Sequence, residues 1–487
     1  MTQNFVMAFG GTGARCMEAL TYLCAADAIK TPVHLLIVDP DETNGNVSQA
    51  LSQLRRYQTI NQRVEPHERR GIRPFFSTGV NKGLEEKSFF WANPSPNTEF
   101  SALIEYQAQG ADARALIDLL YDEGDLALTF EKGYIGRAHI GSLDLLRTLQ
   151  AQIASAAHPE GARQADSMVV FFQALREATQ QPGGARLMVI GSVFGGTGAS
   201  GLPAVPPLLR STLLSGLQRQ MAIGCVQIAP YFSFPPGRPE DPDSAIHPLA
   251  TQAALYHYSL TDTGYDRIYL VGAPGREQSN AENVVGGDAQ KNRAHYVELA
   301  SALAVAHFIS APPSKVGAEV LACGAEHVEW DRLPFQTETD LKRRLVSFGT
   351  FCMTHANFLS EELEEQRHRG TKWLDDLQSA RQRTLGGQEI ELRELRDFAR
   401  RFLLWASELQ EVKGVDLFSM PNSKSPDALG AIAKSGTSVR PYNDIMRHLN
   451  SASEVDQSTG QGWYVEALSR ASIAFCDANY PVWGSKA

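Results

Sequence analysis

Arg186-Leu187-Met188-Val189-Ile190-Gly191-Ser192-Val193 runs directly into Phe194-Gly195-Gly196-Thr197-Gly198-Ala199, and Asn4-Phe5-Val6-Met7-Ala8 runs the same way into Phe9-Gly10-Gly11-Thr12-Gly13-Ala14. Each segment reads as an apolar strand, a glycine turn and then a helix-like stretch. Glycines at such a turn let the backbone approach a ligand closely. The free N–H groups of the helix start, with the helix dipole behind them, favour a phosphate. One such turn is a weak signal; two that lie side by side are a strong one, and that depends on strand order.

Six strands are expected. Residues 4–9 form the first, and the near-continuous apolar run 33–39 forms the second, of the kind buried on both faces of a parallel sheet. A weaker third is placed at 126–130, followed by 186–193, 221–229 and 267–271. Helical patterns at 14–26, 47–57, 142–156, 202–217 and 248–260 alternate with them, which argues for an α/β fold with a doubly wound parallel six-stranded nucleotide-binding sheet. In the common strand order 3-2-1-4-5-6, the first and fourth strands are neighbours, and ligands bind at the crevice between their carboxyl ends. Both glycine loops fall there, so one polyphosphate held from two sides is expected. Two tight turns without a ligand are the plain alternative.

This pattern resembles the tubulin and FtsZ superfamily of nucleotide-binding proteins, and more closely its divergent bacterial tubulin-like members. The family's signature loop after the fourth strand reads Gly-Gly-Gly-Thr-Gly-Ser/Ala-Gly, against Phe194-Gly195-Gly196-Thr197-Gly198-Ala199-Ser200-Gly201 here. The core matches, with Phe194 replacing the small first residue and Ser200 standing where the family has its last glycine. The resemblance implies GTP or GDP with Mg²⁺ as cofactors, bound by Gly195, Gly196, Thr197, Gly198 and Ala199. Gly10, Gly11, Thr12 and Gly13 take the place of the first phosphate and ribose loop, with Arg15 and Cys16 just inside the helix behind it.

Asp39, Asp41 and Asn44 resemble the tubulin loop Val-Asp-Leu-Glu-Pro behind the second strand. Asp39 and Asp41 are the expected magnesium ligands, since that ion keeps several waters and takes one or two carboxylates beside the phosphates. Gly133, Gly136, Arg137 and Gly141 resemble the loop that contacts the terminal phosphate, where a guanidinium suits phosphate oxygens. Pro230-Tyr231-Phe232 resembles the sugar-facing loop, with its acidic residue delayed to Glu240 and Asp241. Residues 292–308 resemble the family's long central helix. Asn292 and Tyr296, at i and i+4 on one helix face, are the expected base contacts.

The expected domains are a tubulin-like nucleotide-binding domain at 1–275 with an insertion at about 52–125, a connecting loop and central helix at 276–310, and a divergent, mostly helical α+β C-terminal domain at 311–487. Residues 316–328 are expected to add a strand or two there. Residues 340–367, 388–412 and 463–478 read as helices, and 414–462, rich in Ser, Asn, Asp and Gly, as loop or disordered linker.

Composition is that of an ordinary folded chain: 487 residues, 43% hydrophobic, with no apolar run long enough to cross a bilayer and no signal-peptide pattern, so a cytoplasmic location is expected. The six cysteines have no Cys-x-x-Cys spacing and read as reduced, buried thiols. A formal net charge of −10 argues against sequence-independent nucleic-acid binding. Arginines at 55, 56, 63, 69, 70 and 73 form a local exception, read as a docking or a solvated face.

The resemblance implies head-to-tail self-association into filaments or oligomers, because a heterologous interface that does not close makes filaments. A second protein partner is expected at the C-terminal domain or the 52–125 insertion. Hydrolysis stays open: no Asn-x-Asp-Phe follows the central helix, and Glu326, Glu329 and Asp331 are merely nearby acids. Two other readings remain. One is a non-hydrolysing nucleotide-sensing scaffold; the other is a Rossmann-type NAD(P)-dependent oxidoreductase, because Thr197-Gly198-Ala199-Ser200-Gly201 also resembles short-chain dehydrogenase loops, although no Tyr-x-x-x-Lys pair accompanies it. A P-loop, a nucleophile elbow and a His-Glu-x-x-His motif are absent from the sequence.

Overall fold

Strand residues alternate their side chains between two apolar faces, and that alternation organises the molecule. The computed structural model describes residues 2–64, 72–82, 89–157, 166–213, 221–233, 246–273, 277–278, 287–288, 290–312, 318–336, 340–359, 372–373, 388–418, 441–453 and 462–479. Its main sheet contains β1 (Gln3–Phe9), β2 (Val33–Val38), β3 (Phe90–Trp91), β4 (Ala185–Ser192), β5 (Met221–Ile228), β6 (Arg267–Gly272) and β7 (Glu319–Gly324). All pairings are parallel, in the order 3-2-1-4-5-6-7.

The helices are α1 (Gly10–Ala25), α2 (Gly45–Asn61), α3 (Ala111–Leu120), α4 (Ala138–Ala157), α5 (Ser167–Gln180), α6 (Gly196–Leu208) and α7 (Ile246–Leu260). They are followed by α8 (Tyr296–Ser310), α9 (Leu341–Met353), α10 (Gln388–Glu411), α11 (Pro441–Ser453) and α12 (Trp463–Asn479). Val6 and Ala8 of β1 join a core with α1, α2, α8 and the C-terminal helices, while Phe5, Met7 and Phe9 join one with α4, α5 and α6. The sheet is therefore covered on both faces, as a parallel sheet requires.

The sheet has seven strands rather than six, and the third differs from expectation. Residues 126–130 do not pair with β2. Asp122 and Asp125 form a capping box that winds Glu123–Leu126 into a helical turn. The backbone beyond it bonds locally, with Phe100 N–H donating to Leu128 O at 2.9 Å and Phe130 N–H to Pro96 O at 2.7 Å. Leu128 and Phe130 are apolar because they are buried, and burial alone does not specify a strand. The place beside β2 goes to Phe90–Trp91, from the insertion.

Within 311–487, β7 extends the main sheet, and α9, α10 and α12 share one apolar cluster with α1 and α8. Helix α11 lies in the 414–462 stretch expected to be loop. Among the described residues its fully buried anchors are Ile445 and Leu449, at i and i+4, with Met446 packed partly beside them, too sparse an apolar pattern to stand out among polar neighbours. Arg56 pairs with Glu394 at 3.4 Å, and Arg73 with buried Asp27 at 3.0 Å, so part of the arginine cluster turns inward. Arg69, Arg70, Glu240, Asp241 and most of 276–290 lie outside the described residues. All six cysteines are free, five of them buried. Among the described residues, no helix is long and apolar enough to cross a membrane.

The C-terminal helices carry a pH-dependent element. His355 is fully buried, with Nδ1 2.9 Å from the Tyr464 hydroxyl and Nε2 3.3 Å from the Leu392 carbonyl. Burial lowers its pKa to about 4; the Leu392 carbonyl opposes this, and Arg396 and Arg400 reinforce it. Between that value and the ordinary 6.5, the unfolded chain binds the proton and the folded chain does not. Stability is therefore lost as pH falls from about 6.5 to about 4. Urea unfolding across this window is expected to show His355→Gln flattening the acid loss by up to about 3 kcal/mol. Equal slopes for the two proteins would contradict the assignment.

Candidate functional site

β1 and β4 are parallel neighbours from Gln3↔Ala185 to Ala8↔Ile190, and the winding reverses between them. β1 runs straight into α1 at Gly10, and β4 reaches α6 at Gly196 after a bend at 193–195, so most of each glycine loop forms a first helical turn. Neither helix has a side-chain N-cap or an acidic residue in that turn. Their leading amides are available to an anion, and both dipoles favour one. Gly10 sits at φ +74°, a left-handed conformation that side chains resist, and a Cβ there would stand 3.2 Å from the Thr197 Cβ. The two loops therefore touch.

The cleft they floor encloses about 1090 Å³, mouth included. Gly10, Gly11, Thr12, Gly195, Gly196, Thr197 and Gly198 line it, together with Asp39, Asp41, Asn44, Gly136 and Asn292. The expected site residues thus converge from five separate segments. The 132–136 loop closes one side, propped by buried Tyr134, whose hydroxyl donates to Asp144 at 2.8 Å. A Cβ on Gly196 would lie 3.0 Å from the Tyr134 Cβ and 3.1 Å from Gly136 N, so this loop packs directly on the second glycine turn.

Five expected contacts are placed elsewhere. Gly13 packs under the sheet end, where a Cβ would stand 3.1 Å from Ala8. Ala199 lies on α6 outside the cleft lining. Arg137 turns to Asp125 at 3.3 Å; among the described residues lining the cleft, Lys132 is the only lysine or arginine. Arg15 is buried in an ion pair with Glu298 at 2.6 Å and donates to the carbonyls of Asn292 and Arg293. Burial works against its charge, but Glu298, with Tyr231 and Glu18, outweighs it and raises the pKa.

The fifth is Tyr296. The central helix begins at Tyr296 rather than Asn292, because His295 and Glu298 form a capping box there. Asn292 precedes the helix and lines the cleft, while the Tyr296 hydroxyl donates to Ala325 O at 3.0 Å. The two do not share a helical face.

Asp39 is 3% exposed, and its carboxylate accepts from Asp41 N–H at 3.1 Å. Burial pushes its carboxyl up to about 8; that amide pulls the other way and the Asp41 charge adds to the rise. A buried carboxylate without a cation is a seat suited to one. Asp41 is more occupied: Oδ1 accepts from Thr43 N and Oγ1 at 2.9 and 2.7 Å, and Oδ2 from Gly287 N at 2.8 Å. Asp39 therefore fits magnesium better than Asp41. Among the described residues, no group of three or more His, Cys, Asp or Glu forms a metal cage.

Tyr231, Phe232, Phe194, His247, Asn46 and Gln290 also line the cleft. The Tyr231 and Phe232 rings meet at 4.6 Å, tilted by 45°, and Phe194 meets His247 at 5.0 Å. The aromatic pair after β5 had a signal in the sugar-loop resemblance. His247 had none, because α7 brings it in from another segment. No family model matches the chain, and no curated protein matches it in sequence.

Proposed function

We propose that the cleft between β1 and β4 binds a nucleoside triphosphate as its magnesium complex, with GTP the expected nucleotide, in the manner of the tubulin and FtsZ superfamily. The observation that carries this reading is the contact between two uncapped, glycine-built helix starts at the sheet's switch point. A dinucleotide site needs one such loop; a triphosphate gripped from both sides uses two. Asp39 would hold magnesium, whose charge would offset that of the phosphate oxygens. Tyr231 and Phe232 offer aromatic surface toward the sugar and base. Lys132 faces the same space as a cation for the terminal phosphate.

Head-to-tail self-association belongs to the same proposal, and hydrolysis is its most open part. Glu326, Glu329 and Asp331 are exposed and none lines the cleft. In the head-to-tail arrangement, an acid acting on the terminal phosphate would be supplied by the next copy.

Calorimetric titration of the full chain with GTP, ATP and NAD, each with and without magnesium, tests the reading. Saturable GTP binding strengthened by magnesium is expected, with nucleotide-dependent pelleting and phosphate release following from assembly. Binding of NAD but not GTP would favour an oxidoreductase. GTP binding with identical pelleting in its absence would remove the filament part alone.

A further inference from the structure

The segment between Gln290 and the start of α8 carries two cleft-lining amide side chains, Gln290 and Asn292, yet it has no regular structure of its own. Side chains from four helices hold its backbone. Asn46 of α2 accepts from Asn292 N–H at 3.1 Å, and Arg15 of α1 donates to the carbonyls of Asn292 and Arg293. Glu298 of α8 accepts from His295 N–H at 3.2 Å, and Glu408 of α10 accepts from Ala294 N–H at 2.8 Å. A strap so tethered keeps one position only while its tethers keep theirs.

Two of the four tethers, Arg15 of α1 and Asn46 of α2, belong to helices that line the cleft, and Glu298 lies on α8, the helix the strap leads into. The fourth comes from the long C-terminal helix, which supplies no lining residue. We propose that Glu408 is a positioning residue for base recognition: by holding Ala294 it sets where Asn292 and Gln290 stand, and so tunes which nucleobase the cleft accepts. This rests on the nucleotide reading above.

Glu408 is suited to the task. Its other oxygen lies 3.3 Å from Arg401 Nη1, and Arg401 is anchored to Glu18 of α1 at 2.8 Å. Glu408 and Arg401 are 15% and 14% exposed and Glu18 is 3%, so the chain of charges is shielded from solvent. Burial pushes the Glu18 carboxyl up, but Arg401, Gln49 and Tyr22 together hold it below its ordinary value. The neighbouring Arg293–Glu411 pair, also from α10, is more than half exposed on both sides and holds the strap weakly. The chemistry at the cleft matches a base edge. Primary amides both donate and accept, which suits the mixed donor and acceptor pattern of a purine, whereas the triphosphate would be held by the glycine-loop amides of α1 and α6 rather than by the strap.

The test is the affinity of the full chain for Mg·GTP, Mg·ATP and magnesium tripolyphosphate in wild type, Glu408→Ala, Glu408→Asp and Glu408→Gln. Wild type is expected to prefer GTP. Glu408→Ala is expected to shrink the GTP-to-ATP ratio about tenfold, the size of one charge-assisted hydrogen bond, and to leave tripolyphosphate within about twofold. Glu408→Asp keeps the charge toward Arg401 but falls one methylene short of Ala294, so it should lose the ratio while folding normally. Glu408→Gln keeps an acceptor and should retain most of it. An unchanged ratio in Glu408→Asp, equal weakening of tripolyphosphate and nucleotides, or a wild type indifferent to the base would overturn the proposal. A wild type that binds none of the three ligands would instead sink the nucleotide reading itself.

Discussion

A valine at Gly10 is expected to weaken GTP binding by about a hundredfold or more. The residue stands at φ +74°, where a β-branched side chain is strained, and its Cβ would press within 3.2 Å of Thr197. The first glycine turn must then either move off the second or lose its own first-turn geometry. Either outcome withdraws amides from the phosphates. Each such charge-assisted hydrogen bond contributes about 1.5–3 kcal/mol, so losing two gives a hundredfold change at the lower bound. Gly196→Val should act the same way from the other side, through Tyr134 and Gly136. Calorimetry reads the affinity, and thermal melting shows that the variants are folded. Wild-type affinity in folded Gly10→Val would mean that the cleft is not where the nucleotide sits.

Arg15→Met is expected to cost about 3–5 kcal/mol of unfolding free energy, read from urea midpoints. The substitution leaves Glu298 buried with no cation, and it frees the carbonyls of Asn292 and Arg293. Most of the cost is the stranded charge rather than the lost attraction. Adding Glu298→Gln should therefore recover a large part of it, since the amide oxygen can still accept from His295 N–H while its NH2 donates to the Tyr231 hydroxyl. A double variant no more stable than Arg15→Met would show that the carboxylate is tolerated unpaired. Because Arg15 also holds the strap beside the cleft, the single variant should weaken nucleotide binding without touching the nucleotide.

The two glycine turns, the strands ahead of them and the Asp39 loop were legible because each is written in a dozen adjacent residues. Apolar runs of strand length end in glycines whose backbone role has few alternatives. The misread strand at 126–130 and the unread helix Pro441–Ser453 show the limit of the same signal. In the first, burial against helices produced a strand-like apolar run; in the second, the fully buried anchors among the described residues were two, at i and i+4, too few to mark a helix. Asn292 and Tyr296 kept a tubulin-like spacing, but the His295 and Glu298 capping box moved the helix start between them and sent the two side chains to different places.

Local order along the chain was enough to establish an α/β sheet with two glycine turns at strand ends, because hydrophobic period and glycine placement act over short distances. Tertiary structure decided which candidates reach the cleft. Arg15 left it for Glu298, 283 positions away, and Arg137 left it for Asp125, while His247 and Gln290 entered it from segments outside any motif. A charge or a ring is placed by whichever partner can desolvate it at least cost, and that partner is chosen by the packed fold rather than by the residues beside it.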